Sequence, residues 1–137
     1  MPAGAAALAL LLCLLPAAAA GQAGEARERA AKAPLAVSSL LLDAAVRDGL
    51  VVAVGERGHV LISADAGQSW RQAEVETRAL LTGVYMHDAR LGWAVGHDEV
   101  VVRTRDGGLT WQRVHHAPEN EKPLLDVWFA DAQAGLA

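Results

Sequence analysis

Two eight-residue stretches gather side chains able to do chemistry. Ser63, Asp65, Gly67, Ser69 and Trp70 recur at the same spacing as Thr104, Asp106, Gly108, Thr110 and Trp111. A carboxylate between two hydroxyls is one way to hold calcium or to run acid catalysis. The same set also closes a tight hairpin. The Asp accepts hydrogen bonds from turn amides that lack ladder partners. Gly67 and Gly108 can take positive φ without a Cβ clash. The hydroxyls hold further turn groups, and the Trp re-enters the sheet and buries its ring. By residue type alone Asp65 and Asp106 could be turn residues, or could ligate calcium or take part in catalysis.

Other reactive residue types are weaker candidates. His115 and His116 with Glu119 and Glu121 could hold a cation. Adjacent residues at a strand end point to opposite faces, however, and the segment 115–122 reads as a polar connection routed by Pro118 and Pro123. His87-Asp88 and His97-Asp98 read as rim groups at strand ends. A sialic-acid hydrolase needs an arginine cluster, a Tyr–Glu pair and an acidic proton donor. The single tyrosine, Tyr85, lies in an apolar run, and Arg57, Arg78, Arg90 and Arg105 are candidates by type only. Gly107-Gly108 belongs to the hairpin and not to a phosphate loop. The expectation is no catalytic residue, no metal and no cofactor.

The elements that carry these residues form an internal repeat, the feature to seek first. Leu50-Val51-Val52-Ala53-Val54-Gly55 lies over Leu91-Gly92-Trp93-Ala94-Val95-Gly96 at an offset of 41, and the register runs without a gap through both Trp-terminated motifs. A third copy opens at Leu124-Leu125-Asp126-Val127-Trp128-Phe129, over Leu81-Thr82-Gly83-Val84-Tyr85-Met86 at an offset of 43. Gly135-Leu136-Ala137 likewise matches Gly92-Trp93-Ala94. Each full copy reads as four short strands: 40–46, 50–54, 59–62 and 69–72, then 80–86, 91–95, 100–103 and 110–114. Four antiparallel strands in about 40 residues is the period of a β-propeller blade. The fold class is therefore all-β, a propeller fragment of two four-stranded blades (about 39–73 and 80–115) and the start of a third (124–137). Two blades do not close a ring, so their outer faces should expose apolar surface, and the chain should be marginal or should associate with itself.

Residues 5–15 are an apolar run of secretory length, too short to span a bilayer. Pro16 ends it, and the small residues that follow offer cleavage after Ala20 or Ala23. Residues 1–23 are read as a signal peptide and 24–37 as a frayed linker, which makes the protein exported, to the periplasm or beyond. Leu12 before Cys13 speaks against lipidation, and with one cysteine in 137 residues there is no intrachain disulfide. Net charge is −4 without a basic stripe, which leaves nucleic-acid binding without an electrostatic footprint.

The Ser/Thr-x-Asp-x-Gly-x-Ser/Thr-Trp motif resembles the Asp-box of β-propeller proteins. In families that carry it the box is structural and lies away from the active site, so the resemblance implies that Asp65 and Asp106 are turn residues; the structural box residues are Ser63, Asp65, Gly67 and Trp70, with Thr104, Asp106, Gly108 and Trp111. Ala66 departs from the Gly, Asn or Asp more usual there and should loosen the first turn. The strands ending Ala53-Val54-Gly55 and Ala94-Val95-Gly96 narrow the resemblance to exported propellers related to photosystem II assembly and stability factors. It covers residues 38–137. It implies a ring of about seven blades, of which this chain would be the N-terminal part. It also implies a non-catalytic module that binds a protein partner, in a membrane-associated complex or outside one. A sialidase-type hydrolase with catalytic residues on other blades is the alternative.

Overall fold

Apolar residues on both parities of one strand require a sheet buried on both faces. The computed structural model describes residues 28–137, so the proposed signal peptide and both cleavage points lie outside the described residues. Among the described residues there is no α-helix, only four single-turn 3-10 segments. The first blade is β1 (Leu41–Arg47), β2 (Leu50–Gly55), β3 (Val60–Ser63) and β4 (Arg71–Gln72), antiparallel and in sequence order. The second is β6 (Leu81–Met86), β7 (Gly92–Gly96), β8 (Val101–Thr104) and β9 (Thr110–His115). Between them β5 (Glu74–Val75) pairs in parallel with β9, so the connector leaving one blade becomes the outermost strand of the next. A third unit begins as the two-stranded pair β10 (Trp128–Phe129) and β11 (Gly135–Leu136). This is an all-β propeller fragment.

Strand alternation sends neighbouring side chains to different interfaces. Val52, Val54, Val60 and Ile62 of the first blade pack with Val84, Met86, Ala94, Val102 and Trp111 of the second. Trp93 and Val95, on the opposite parity of β7 from Ala94, pack instead with Val127 and Phe129 of the third unit. Register carries the repeat into space: Val52, paired with Ala45, occupies the place of Trp93, paired with Tyr85. Asp48 and Gly49, both at positive φ (51° and 82°), make the two-residue turn between β1 and β2.

Two expectations change here. The described part of the segment read as a frayed linker is hydrogen-bonded along its length. Ala30 N donates to Val75 O at 2.9 Å, Ala33 N to Gln72 Oε1 at 2.9 Å, and Gln72 Nε2 to Ala31 O at 2.8 Å. Lys32 Nζ donates to Gln72 O at 2.6 Å. Ala36, in the 3-10 turn Ala36–Ser38, is buried. The outer face of the first blade is consequently not bare throughout. Gln72 pairs with Leu61, which pairs with Ala53, so all three share that face, and Ala53 and Leu61 are buried. The inner strand of the same face stays open at Val46.

Candidate functional site

The two boxes occupy the turns between β3 and β4 and between β8 and β9, and their bonding agrees atom for atom. In the first, Ser63 Oγ donates to Asp65 Oδ1 at 2.7 Å and accepts from Gly67 N at 2.8 Å. Ser69 N donates to Asp65 Oδ1 at 2.8 Å, Ser69 Oγ to Asp65 Oδ2 at 2.5 Å, and Trp70 Nε1 to Gly67 O at 3.0 Å. In the second, Thr104 Oγ1 donates to Asp106 Oδ1 at 2.9 Å and accepts from Gly108 N at 2.9 Å. Thr110 N and Oγ1 donate to Asp106 Oδ1 and Oδ2 at 3.0 and 2.7 Å, and Trp111 Nε1 to Gly108 O at 2.9 Å.

These bonds set the electrostatics. Hydrogen bonds from the Ser69 hydroxyl and amide and from Ser63 hold the Asp65 carboxyl down at about 2. At Asp106 partial burial pushes the pKa up, but donors from Thr110 and Thr104 outweigh it, and the net direction is down. Both carboxylates are anions that each accept three hydrogen bonds from their own hairpin, the reverse of a proton donor poised near neutral pH.

The tryptophans differ. Trp111 is 1% exposed, covered by the first blade, whereas Trp70 is 37% exposed. Each ring was expected to bury itself in its sheet. Burial in fact comes from the neighbouring blade, and among the described residues no blade lies on the Trp70 side. A cleft of about 410 Å³ runs between the two box hairpins, lined among others by Trp70, Arg71, Leu109 and Asp106. Its carboxylate is already engaged by Thr110 and Thr104, so the cleft offers ring and aliphatic surface and no free acid–base pair.

The structure does not gather the remaining candidates into one centre. His115 Nε2 lies 3.6 Å from Glu99 Oε2, while His116 Nδ1 lies 3.3 Å from Arg113 Nη1. Glu119 sits in the 3-10 turn Pro118–Asn120, and Glu121 follows it at positive φ. Among the described residues no three His, Cys, Asp or Glu side chains stand where they could hold a metal ion. Asp88 Oδ1 accepts from Arg90 N and Leu91 N, both at 2.7 Å, which makes it a turn residue. His97 and Asp98 form a 3-10 turn with Glu99. Tyr85 faces the third unit, its ring centroid 6.2 Å from that of Phe129.

Two pairs escaped the sequence reading. Asp43 Oδ1 accepts from Ala44 N and its Oδ2 from Val84 N, both at 2.8 Å, which latches the inner strand of one blade to that of the next. Asp126, in the third unit, was the available signal, since it accepts from Val127 N at 2.7 Å as Asp43 does from Ala44 N. The second pair is Ser39 and the buried His59, 3.0 Å apart between Oγ and Nδ1. Ser39 Oγ spends its proton on Ala36 O, so His59 Nδ1 is the donor. His59 takes the repeat position of Val100, a site that otherwise reads as core.

The family profile described as Photosynthesis system II assembly factor YCF48 matches residues 62–135, from β3 through the third unit. The curated proteins contain no match to the chain.

Proposed function

Because the chain belongs to the photosynthesis system II assembly factor family, we propose that it is an exported, non-catalytic propeller module that binds a protein partner as an assembly or stabilisation factor. The family match carries this reading. It is supported by boxes whose carboxylates are consumed by their own hairpins, and by a tyrosine directed into a blade interface rather than towards an arginine cluster. Propellers present loops from successive blades on a rigid frame, a geometry suited to recognising a folded surface. The partner proposed is a subunit of a membrane-associated complex of the photosystem II kind.

Deletion of the gene followed by native electrophoresis of the membranes tests the assembly role. Partially assembled complexes should accumulate, and unchanged complexes would overturn it. Fractionation of the source cells, with mass spectrometry of the N-terminus, tests export. The mature chain should begin after Ala20 or Ala23, and an intact residue 1–20 segment in the exported protein would contradict it. Turnover of a fluorogenic sialoside above background would overturn the non-catalytic half.

A further inference from the structure

The cleft of about 410 Å³ lies between the two blades that have all four strands, with one box hairpin on each side. The hydrogen bond from Glu74 N to Leu109 O, at 3.0 Å, ties the two sides together. Ile62, 6% exposed, is the most buried side chain of the lining, and Gly108 comes so close to it that a Cβ there would lie 3.0 Å from Ile62 Cγ2. Leu50, packed against the core, and Leu109, 40% exposed, stand beside it. Arg71 pairs with Ile62 across β3 and β4, so its side chain rises on the same face, towards the second blade. It is exposed, and its guanidinium has no hydrogen-bond or ion-pair partner among the described residues. Asp106, the other charged group of the lining, is already met by three donors of its own hairpin. Apolar walls, a volume within roughly 300–1,000 Å³ and one unspent charge are the build of a ligand site. The repeat requires neither Arg71 nor Leu109, since Gln112 takes the place of the first in the second blade and Gln68 that of the second in the first box.

We propose that this cleft recognises a short segment of a partner protein in which an aliphatic side chain stands next to a carboxylate. The aliphatic group sits between Leu50, Ile62 and Leu109, and the carboxylate pairs with Arg71. A guanidinium beside apolar walls gains most from a carboxylate, which it can meet with two parallel hydrogen bonds. A lysine or arginine in the same place would face Arg71 and find Asp106 occupied. The ligand chemistry belongs to the cleft; only its source, a protein partner, rests on the reading of the chain as a partner-binding module.

Heteronuclear NMR of the isotope-labelled chain, titrated with acetyl-Leu-Asp-amide, reads the site. The amides of Arg71, Gly107 and Leu109 should shift and saturate, half-way at about 1 mM, the scale of a dipeptide held by one ion pair and one side chain. Acetyl-Leu-Asn-amide, the same shape without the charge, should bind about three- to fivefold more weakly, the range of an exposed ion pair. Acetyl-Gly-Asp-amide and acetyl-Leu-Lys-amide should not saturate in that range. Arg71→Gln, at an exposed position, should leave the rest of the spectrum in place and lose the preference for Asp over Asn. The absence of saturating shifts at these amides overturns the proposal. So do equal affinities for the Asp, Asn and Lys peptides, or an Arg71→Gln chain that still prefers Asp. Unchanged complexes after deletion of the gene would remove the assembly role and leave the peptide shifts standing.

Discussion

A carboxylate that accepts three hydrogen bonds from its own turn is part of the backbone scaffold more than of a reaction centre. Asp106 does so from Thr104 and Thr110. Asp106→Ala should cost about 1–2 kcal/mol, the range for a lost cap that strands amides. Trp111→Ala should cost about 3–5 kcal/mol, because the ring is enclosed between two blades. Trp70→Ala, at an exposed ring with the same indole bond, should cost only about 1 kcal/mol. Denaturant melts give the ranking, and equal losses for the two tryptophans would contradict burial by the neighbouring blade. The titrating residues separate by pH. Burial of His59 lowers its pKa below the ordinary 6.5, Glu56 opposing and Arg57 adding to the effect. The folded form then binds fewer protons than the unfolded one, so stability is full above about pH 6.5 and is lost as pH falls from there towards the lowered value. For Asp65, at about 2, the loss comes lower, between about pH 4 and 2. His59→Val, which installs the residue of the equivalent position, should abolish the first loss and leave the second. Melting temperatures from pH 7.5 to 2.5 test this, and a mutant that retains the decline below pH 6.5 would remove His59 as its source.

Elements announced themselves in the sequence where short apolar runs end at a glycine. The strands around Val52–Val54 and Trp93–Val95 were legible to within a residue, because a continuous apolar run of strand length bounded by a turn leaves few other readings. Both box turns were legible from residue type alone. The segment 28–36 was not. It carries Ala, Lys and Pro without a period, and it is held by backbone groups and by the side chain of a distant residue, Gln72. Nor was β5, whose two residues become a strand only because β9 offers an edge. The exposure of Trp70 lay out of reach for a related reason, since it depends on what stands beside the blade. At this scale the first box makes a clean prediction. Ala66 adopts φ 59° where the second box has Gly107 at 73°. An alanine in the left-handed region costs about 1 kcal/mol relative to glycine. Ala66→Gly should therefore raise stability by about that amount, less the added chain entropy of the unfolded state. A calorimetric midpoint that stays level or falls would show the strain relieved in another way.

Across the whole molecule the two interfaces are unequal, and that sets how cooperatively it unfolds. The first blade and the second share a cluster of thirteen buried residues, reinforced by the Asp43–Val84 latch and by β5. The third unit rests on three, Trp93, Val95 and Val127, with Phe129 and Tyr85 packed beside them. Its polar ties are few: Leu124 N to Gly96 O at 2.9 Å, Glu99 N to Lys122 O at 3.0 Å, and Thr82 Oγ1 to Leu124 O at 2.5 Å. Segments with a small buried cluster and few bonds open with less free energy than the global transition. Amides of 127–136 should thus exchange with deuterium faster than those of β2, β3, β7 and β8, whose exchange should follow complete unfolding. The Trp93–Phe129 stack is the main apolar tie, and an aromatic pair contributes roughly 0.5–1.5 kcal/mol beyond its buried area. Trp93→Ala should accelerate exchange in 127–136 well beyond its effect on β2 and β3, because Trp93 sits on the face of β7 turned away from the first blade. Uniform acceleration across all strands would mean that the three units unfold as one, and that the smaller cluster is no weak seam.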